Sequence, residues 1–136
     1  TETPADATTA DALAEASGRI ADTVETSAIV CFTSSGSTAR RISRERPAVP
    51  VLVLTASKAT ARRLGLLWGA FAVTTKDIGS FEEMIGKGKR MALRHKFASA
   101  GAKLIVLAGV PFGMPGATNL LHVVSVTGDE LEKHKD

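Results

Sequence analysis

Residues 28–47 read AIVCFTSSGSTARRISRERP, and the order of chemical types in this stretch decides the fold. An apolar run from Ala28 to Phe32 stops at a turn built of Thr33, Ser34, Ser35, Gly36, Ser37 and Thr38, and a basic helical pattern begins at Ala39. The order is strand, tight loop, helix. A helix start leaves backbone N–H groups without internal partners and carries the positive end of the helix dipole. Phosphates and carboxylates bind at such places. Here the hydroxyls add donors, Gly36 lets the backbone approach a ligand closely, and Arg40 lies within one turn to add charge. A cap on the helix would need only Ser35 or Ser37. The hydroxyls beyond that need make an anion-binding loop worth proposing.

Working outward, Leu13, Ala16, Ile20 and Val24 share one helical face, which predicts a helix from about Ala10 to Val24 behind a polar tail or linker at residues 1–9. The basic helix runs toward Pro47, which cannot continue it. Val51 to Leu54 is a short, wholly apolar run that suits a strand covered on both faces. Ser57 can cap a third helix, with Ala61, Leu64 and Trp68 inward, Arg62 and Arg63 outward, and Gly69 closing it. Phe71 to Thr74 is a third strand. Ser80 and Glu83 have capping-box spacing for a long helix to about Phe97, whose apolar side is Phe81, Met84, Ile85, Gly88, Met91 and Ala92. Leu104 to Ala108 and Leu120 to Val126 are the last two strands, and residues 128–136 form a polar tail. Alternating helices and apolar strands imply an α/β layered domain with parallel early strands, at residues 10–127. The connection GVPFGMPGATN at residues 109–119 has no room for a crossover helix, so the fifth strand turns back antiparallel to the fourth.

A chain of 136 residues suits one domain with a real core. Seventeen Lys and Arg against fourteen Asp and Glu give a net charge of +3, spread over several segments, which favours local anion sites over nucleic-acid binding. Tyr is absent and aromatic residues are 4% of the chain, so base-stacking platforms have little to be built from. Cys31 is the only cysteine, mid-run in a strand, and reads as a small apolar core residue. Without a disulfide, a membrane-length apolar run or a signal-peptide pattern, the expectation is a cytoplasmic protein with no membrane partner.

Catalytic constellations are weak. His95, His122 and His134 lack metal-site spacing, and Ser34 and Ser35 lack a G-x-S-x-G elbow. The 33–38 loop also lacks the Gly-Lys-Ser/Thr ending of a nucleotide P-loop. Asp77, Glu82 and Glu83 crowd a helix start, where the dipole alone attracts carboxylates. Arg40, Arg41, Arg44 and Arg46 form the densest basic patch, which reads either as a solvated helix face or as a site for an anion or acidic partner. In open α/β sheets ligands gather beyond the carboxyl ends of the strands, where both unusual loops, 33–40 and 109–119, are expected.

The segments CFTSSGSTARRISRERPAVPVLVLT, ATARRLGLLWGAFAV and GVPFGMPGATNLLHVVSV, in this order, resemble the C-terminal domain of bacterial pyruvate kinase over roughly residues 10–127. The resemblance implies a three-layer α/β/α sandwich with a five-stranded mixed sheet, order 3-2-1-4-5, strand 5 antiparallel. It implies a regulatory and oligomerisation domain of an enzyme that transfers phosphate from phosphoenolpyruvate to ADP. By position, the family's effector-phosphate loop falls on Thr33, Ser34, Ser35, Gly36, Ser37 and Thr38 with Arg40 adjacent, and its second effector loop on Gly113, Met114, Pro115 and Gly116, near Thr118. The effector would be a sugar phosphate or AMP. The Trp and Arg that bisphosphate-activated relatives supply before the long helix are not in place in KDIGSFEEMIGKGKR, so a monophosphate or no sugar effector is equally open. Self-association through the last strand and contact with the family's catalytic barrel are the other expected partners. That barrel, with its Mg and K sites, exceeds this length, so the chain is expected to hold no cofactor and to be inactive alone. The alternative is a stand-alone structural or interaction module of the same fold with no effector.

Overall fold

The computed structural model describes residues 5–109 and 118–127. Its elements are α1 (Ala5–Thr23), β1 (Ala28–Phe32), α2 (Ser37–Arg44), β2 (Val51–Thr55), α3 (Lys58–Leu64), β3 (Ala70–Thr74), α4 (Phe81–Arg94), β4 (Lys103–Ala108) and β5 (Leu120–Ser125). The strands form one sheet in the order β3-β2-β1-β4-β5. β1 pairs in parallel with β2 and β4, and β2 with β3, whereas β5 runs antiparallel to β4, with Ala108 opposite Leu120.

The apolar runs make this sheet a middle layer. Successive side chains of a strand point to opposite faces, so a strand apolar at every position needs cover on both. Val30, Leu52, Leu54, Leu104 and Val106 pack on one face with Met84, Met91 and Ala92 of α4. Ile29, Cys31, Val51, Val53, Ile105 and Leu107 pack on the other with Ala14 and Ala21 of α1, Ala39 and Ile42 of α2, and Leu64 of α3. One helix covers one face and three helices the other, giving the three layers expected.

Several boundaries differ from the sequence reading. α1 begins at Ala5, ahead of Ala10, in a stretch rich in the helix-favouring Ala. Its buried face is Ala10, Ala14, Ser17, Gly18 and Ala21, and the larger Leu13 and Ile20, with Ala16, lie only partly buried beside it. Small residues win because α1 lies close against α2, where Gly18 comes near Glu45. α3 ends at Leu64, not at Gly69, which instead takes a positive φ of 69° just ahead of β3. Trp68 therefore lies outside the helix and is 47% exposed rather than packed inward. α4 ends at Arg94 with His95 as its C-cap, short of Phe97, and Phe81 is exposed. Its start matches the capping-box spacing: Glu83 N–H donates to Ser80 Oγ at 3.1 Å, and Gly79 N–H donates to Glu83 Oε1 at 3.0 Å. No described helix is long and apolar enough to cross a membrane.

Leu104 is fully buried on β4, which lies between β1 and β5. Leu104→Ala should lower stability by about 2–5 kcal/mol, read as a lower urea midpoint with an unchanged m-value.

Candidate functional site

β1 and β4 are parallel neighbours, with Cys31 opposite Leu107, so the segments that follow them leave the same edge of the sheet side by side. The first is residues 33–38. Its backbone is anchored at the start by Thr33 N–H donating to Leu54 C=O at 3.1 Å. It then turns into α2 through Gly36, which is the N-cap and takes φ 93°. Neither Ser35 nor Ser37 occupies the cap position, and Gly36 has no side chain to do the capping, so the hydroxyls act differently. Gly36 N–H donates to Thr33 Oγ1 at 2.9 Å, and Ser37 N–H to Ser35 Oγ at 3.3 Å. α2 starts at Ser37, two residues ahead of the expected Ala39, because Arg40 N–H already closes the first turn on Gly36 C=O at 3.0 Å.

Of the four N–H groups that a helix start leaves outside its own ladder, two are thus taken up by the loop's hydroxyls, while those of the buried Thr38 and Ala39 have no partner among the described residues. The loop is a partly self-satisfied cradle rather than a fully open one. Ser34, Ser35 and Arg40 are exposed, Thr33 and Ser37 half-buried, and Gly36 and Thr38 buried. Ser35 Oγ lies 3.3 Å from Ser37 Oγ, so the two hydroxyls share one outer surface.

Residues without any local sequence signal hold the loop. Thr60 Oγ1 donates to Ser34 C=O at 2.9 Å, and Arg63 Nη2 reaches Ser35 C=O at 3.4 Å and Thr60 Oγ1 at 3.2 Å. These partners come from α3, 26 and 28 positions away, which is why reading the loop by itself misses them. Gly36 is also pressed on Leu64: a Cβ there would lie 2.9 Å from Leu64 Cδ2. On the other side, the hydroxyls of Thr38 and Thr118 are hydrogen-bonded to each other, which brings the end of the β4–β5 connection against the first turn of α2. Gly113, Met114, Pro115 and Gly116 of that connection lie outside the described residues.

Other chemistry is sparse. Among the described residues no group of His, Cys, Asp and Glu could hold a metal ion. His122 meets the edge of Phe81 at 5.2 Å on the sheet surface, and His95 lies 5.6 Å from the ring of Phe71. Burial pushes the Cys31 thiol from its ordinary value near 9.0 up to about 12.

The fold and this loop define an α/β/α domain with a hydroxyl-lined helix start at the carboxyl edge of its sheet. Residues 11–124 match the family model described as pyruvate kinase, alpha/beta domain, and the chain belongs to that family. It is similar to the pyruvate kinase of Methylorubrum extorquens, 40% identical over 126 residues that make up 93% of this chain and 26% of that protein. A pyruvate kinase of Agrobacterium vitis is 39% identical over 122 residues, 89% of this chain and 25% of that protein. That of Sporosarcina psychrophila is 32% identical over 123 residues, 90% of this chain and 21% of that protein. The chain thus spans about a quarter of the length of the curated relatives it matches.

Outcomes at two positions, Gly36 and Cys31, follow from the geometry. Gly36→Ala should cost about 1–3 kcal/mol, from the left-handed backbone and from the collision with Leu64. In thermal denaturation the Gly36→Ala, Leu64→Ala double variant should lose about 1 kcal/mol less than the sum of the singles, because removing Leu64 relieves the collision. Cys31 should stay unreactive toward a thiol reagent at pH 8 in the folded protein and react only on unfolding. Since its folded pKa is raised, its contribution to stability is complete below about pH 9 and is lost as pH climbs toward about 12.

Proposed function

We propose that this chain is the regulatory and oligomerisation domain of a pyruvate kinase, binding a phosphorylated effector at residues 33–40. The parent enzyme would be the glycolytic one that transfers phosphate from phosphoenolpyruvate to ADP, giving pyruvate and ATP, and would reside in the cytoplasm. In this reading the chemistry and its Mg and K ions belong to a catalytic barrel in the part of the relatives that this chain does not span. The domain itself takes no part in phosphoryl transfer.

The observation that carries the reading is the seating of the 33–38 loop. It leaves a strand buried from Ala28 to Cys31, enters α2 through a glycine at φ 93°, and is held from behind by Thr60 and Arg63. Such a loop is already in place before a ligand arrives, so little ordering entropy opposes binding. A phosphate set ahead of Thr38 and Ala39 would take their two N–H groups, with the Ser35 and Ser37 hydroxyls alongside and Arg40 adding charge.

Self-association rests on a separate feature. β5 is an edge of the sheet, and Val123 is 39% exposed on it. An edge strand presents unpaired backbone groups to any second strand that can lie alongside. A module that assembles through this edge with no effector is the second reading.

Isothermal calorimetry with fructose 1,6-bisphosphate, glucose 6-phosphate, ribose 5-phosphate and AMP tests the effector. At least one should bind, and Ser35→Ala should weaken it by about tenfold or more, the scale of one hydrogen bond to a charged group. Heat from none of the four would remove the effector and leave the second reading, which sedimentation then checks by a phosphate-independent dimer.

A further inference from the structure

The basic face of α2 does not stop at the loop. Ser37, Arg40, Arg41, Arg44 and Arg46 line a cleft of about 510 Å³ together with Leu67 and Trp68. That volume falls in the range of small-molecule sites. Two contacts hold its walls together. Ser43 Oγ donates to Trp68 C=O at 2.8 Å, fixing the segment after α3 against α2. The Arg46 guanidinium sits 5.1 Å from the centre of the Trp68 ring, a cation–π contact that orients the half-exposed indole.

Among the described residues, the charge in this cleft is balanced only at Arg41. α2 carries Arg40, Arg41 and Arg44 with no acidic residue between Ser37 and Arg44. Arg41 is answered by Asp11 of α1, Nε to Oδ1 at 2.7 Å. Arg40 and Arg44 form no ion pair among the described residues, and both are exposed. They are four apart on one helix, which places them on the same face, where like charges repel. The helix dipole favours Arg44 in the last turn but gives no reason for Arg40 near the first. Two uncompensated guanidinium groups on one face beside a held aromatic ring match a ligand with a phosphate at one end and a planar ring at the other. A solvated helix face would need neither the cleft nor the oriented indole.

We propose that the cleft between α2 and residues 67–68 is a second anion site, adjoining the 33–38 loop and sharing Ser37 and Arg40 with it, that takes a small phosphate-bearing ligand with a planar ring. The phosphate sits between Arg40 and Arg44, and the ring lies against Leu67 and Trp68. Ser37 and Arg40 stand at the border of loop and cleft, so one helix turn would sense both sites.

Trp68 is the only tryptophan and tyrosine is absent, so the protein's fluorescence excited at 295 nm reports on this cleft alone. AMP should change that emission saturably. Ribose 5-phosphate, which lacks the ring, should bind about tenfold more weakly. Arg44→Ala should weaken AMP at least tenfold and Arg44→Lys should restore part of the loss, whereas Ser35→Ala should leave the midpoint within twofold. Both Arg44 variants are at an exposed position and should fold. An emission unmoved by AMP, or moved equally in wild type and Arg44→Ala, overturns the site. Loss of the response in Ser35→Ala would move the ligand to the loop and equally overturn it. A response to a glutamate-rich peptide with none to AMP would assign the face to an acidic protein partner and reject the small-molecule site.

Discussion

Strands β1, β2 and β4 have no polar face, and the whole arrangement follows from having to cover them twice. Ile29, Val30, Cys31, Leu52, Val53, Leu104, Ile105 and Val106 are all withdrawn from water. At about 25 cal/mol for each Å² of apolar surface removed, burying such side chains is the dominant favourable contribution to the fold. Helices on both faces are the means, and parallel strands joined by helical crossovers are the connectivity that puts them there. The same connectivity gathers the carboxyl ends of β1, β2, β3 and β4 at one edge.

The placement of the loop is therefore a by-product of core formation. α2 must lie on the sheet through Ala39 and Ile42, and α3 through Leu64. The chain between β1 and α2 must then turn in a few residues, and only a left-handed residue without a Cβ fits beside Leu64. Thr60 and Arg63 arrive at the loop because they share a helix with Leu64. A surface feature with the shape of a ligand cradle is thereby held by groups whose primary duty is packing.

Much of this was legible in the sequence because the strongest signals are local. The apolar runs gave each strand within a residue or two, Ser57 and Ser80 marked the starts of α3 and α4, and the short 109–119 connection implied the antiparallel β5. What was illegible depended on partners far along the chain. The stripe of Leu13, Ala16, Ile20 and Val24 reads as the buried side of α1, yet the closeness of α2 favours the neighbouring face of Ala10, Ala14, Ser17, Gly18 and Ala21. Trp68 continued the apolar spacing of α3 on paper. The chain left the helix at Leu64, and the indole became a platform for Arg46. The 33–38 loop was found from its composition, but Gly36 rather than a serine holds the cap position, since the backbone conformation demanded beside Leu64 outweighs the preference for a hydroxyl there.

The hydroxyl pair of Thr38 and Thr118 joins positions 80 apart in the chain and can form only when β5 lies in its proper register beside β4. A slip by one residue would bring Asn119 to that spot and would turn every side chain of β5 to the opposite face of the sheet. The clasp thus ties the chain entering β5 to the first turn of α2, adding to the β4–β5 ladder a contact across 80 positions that suits this register.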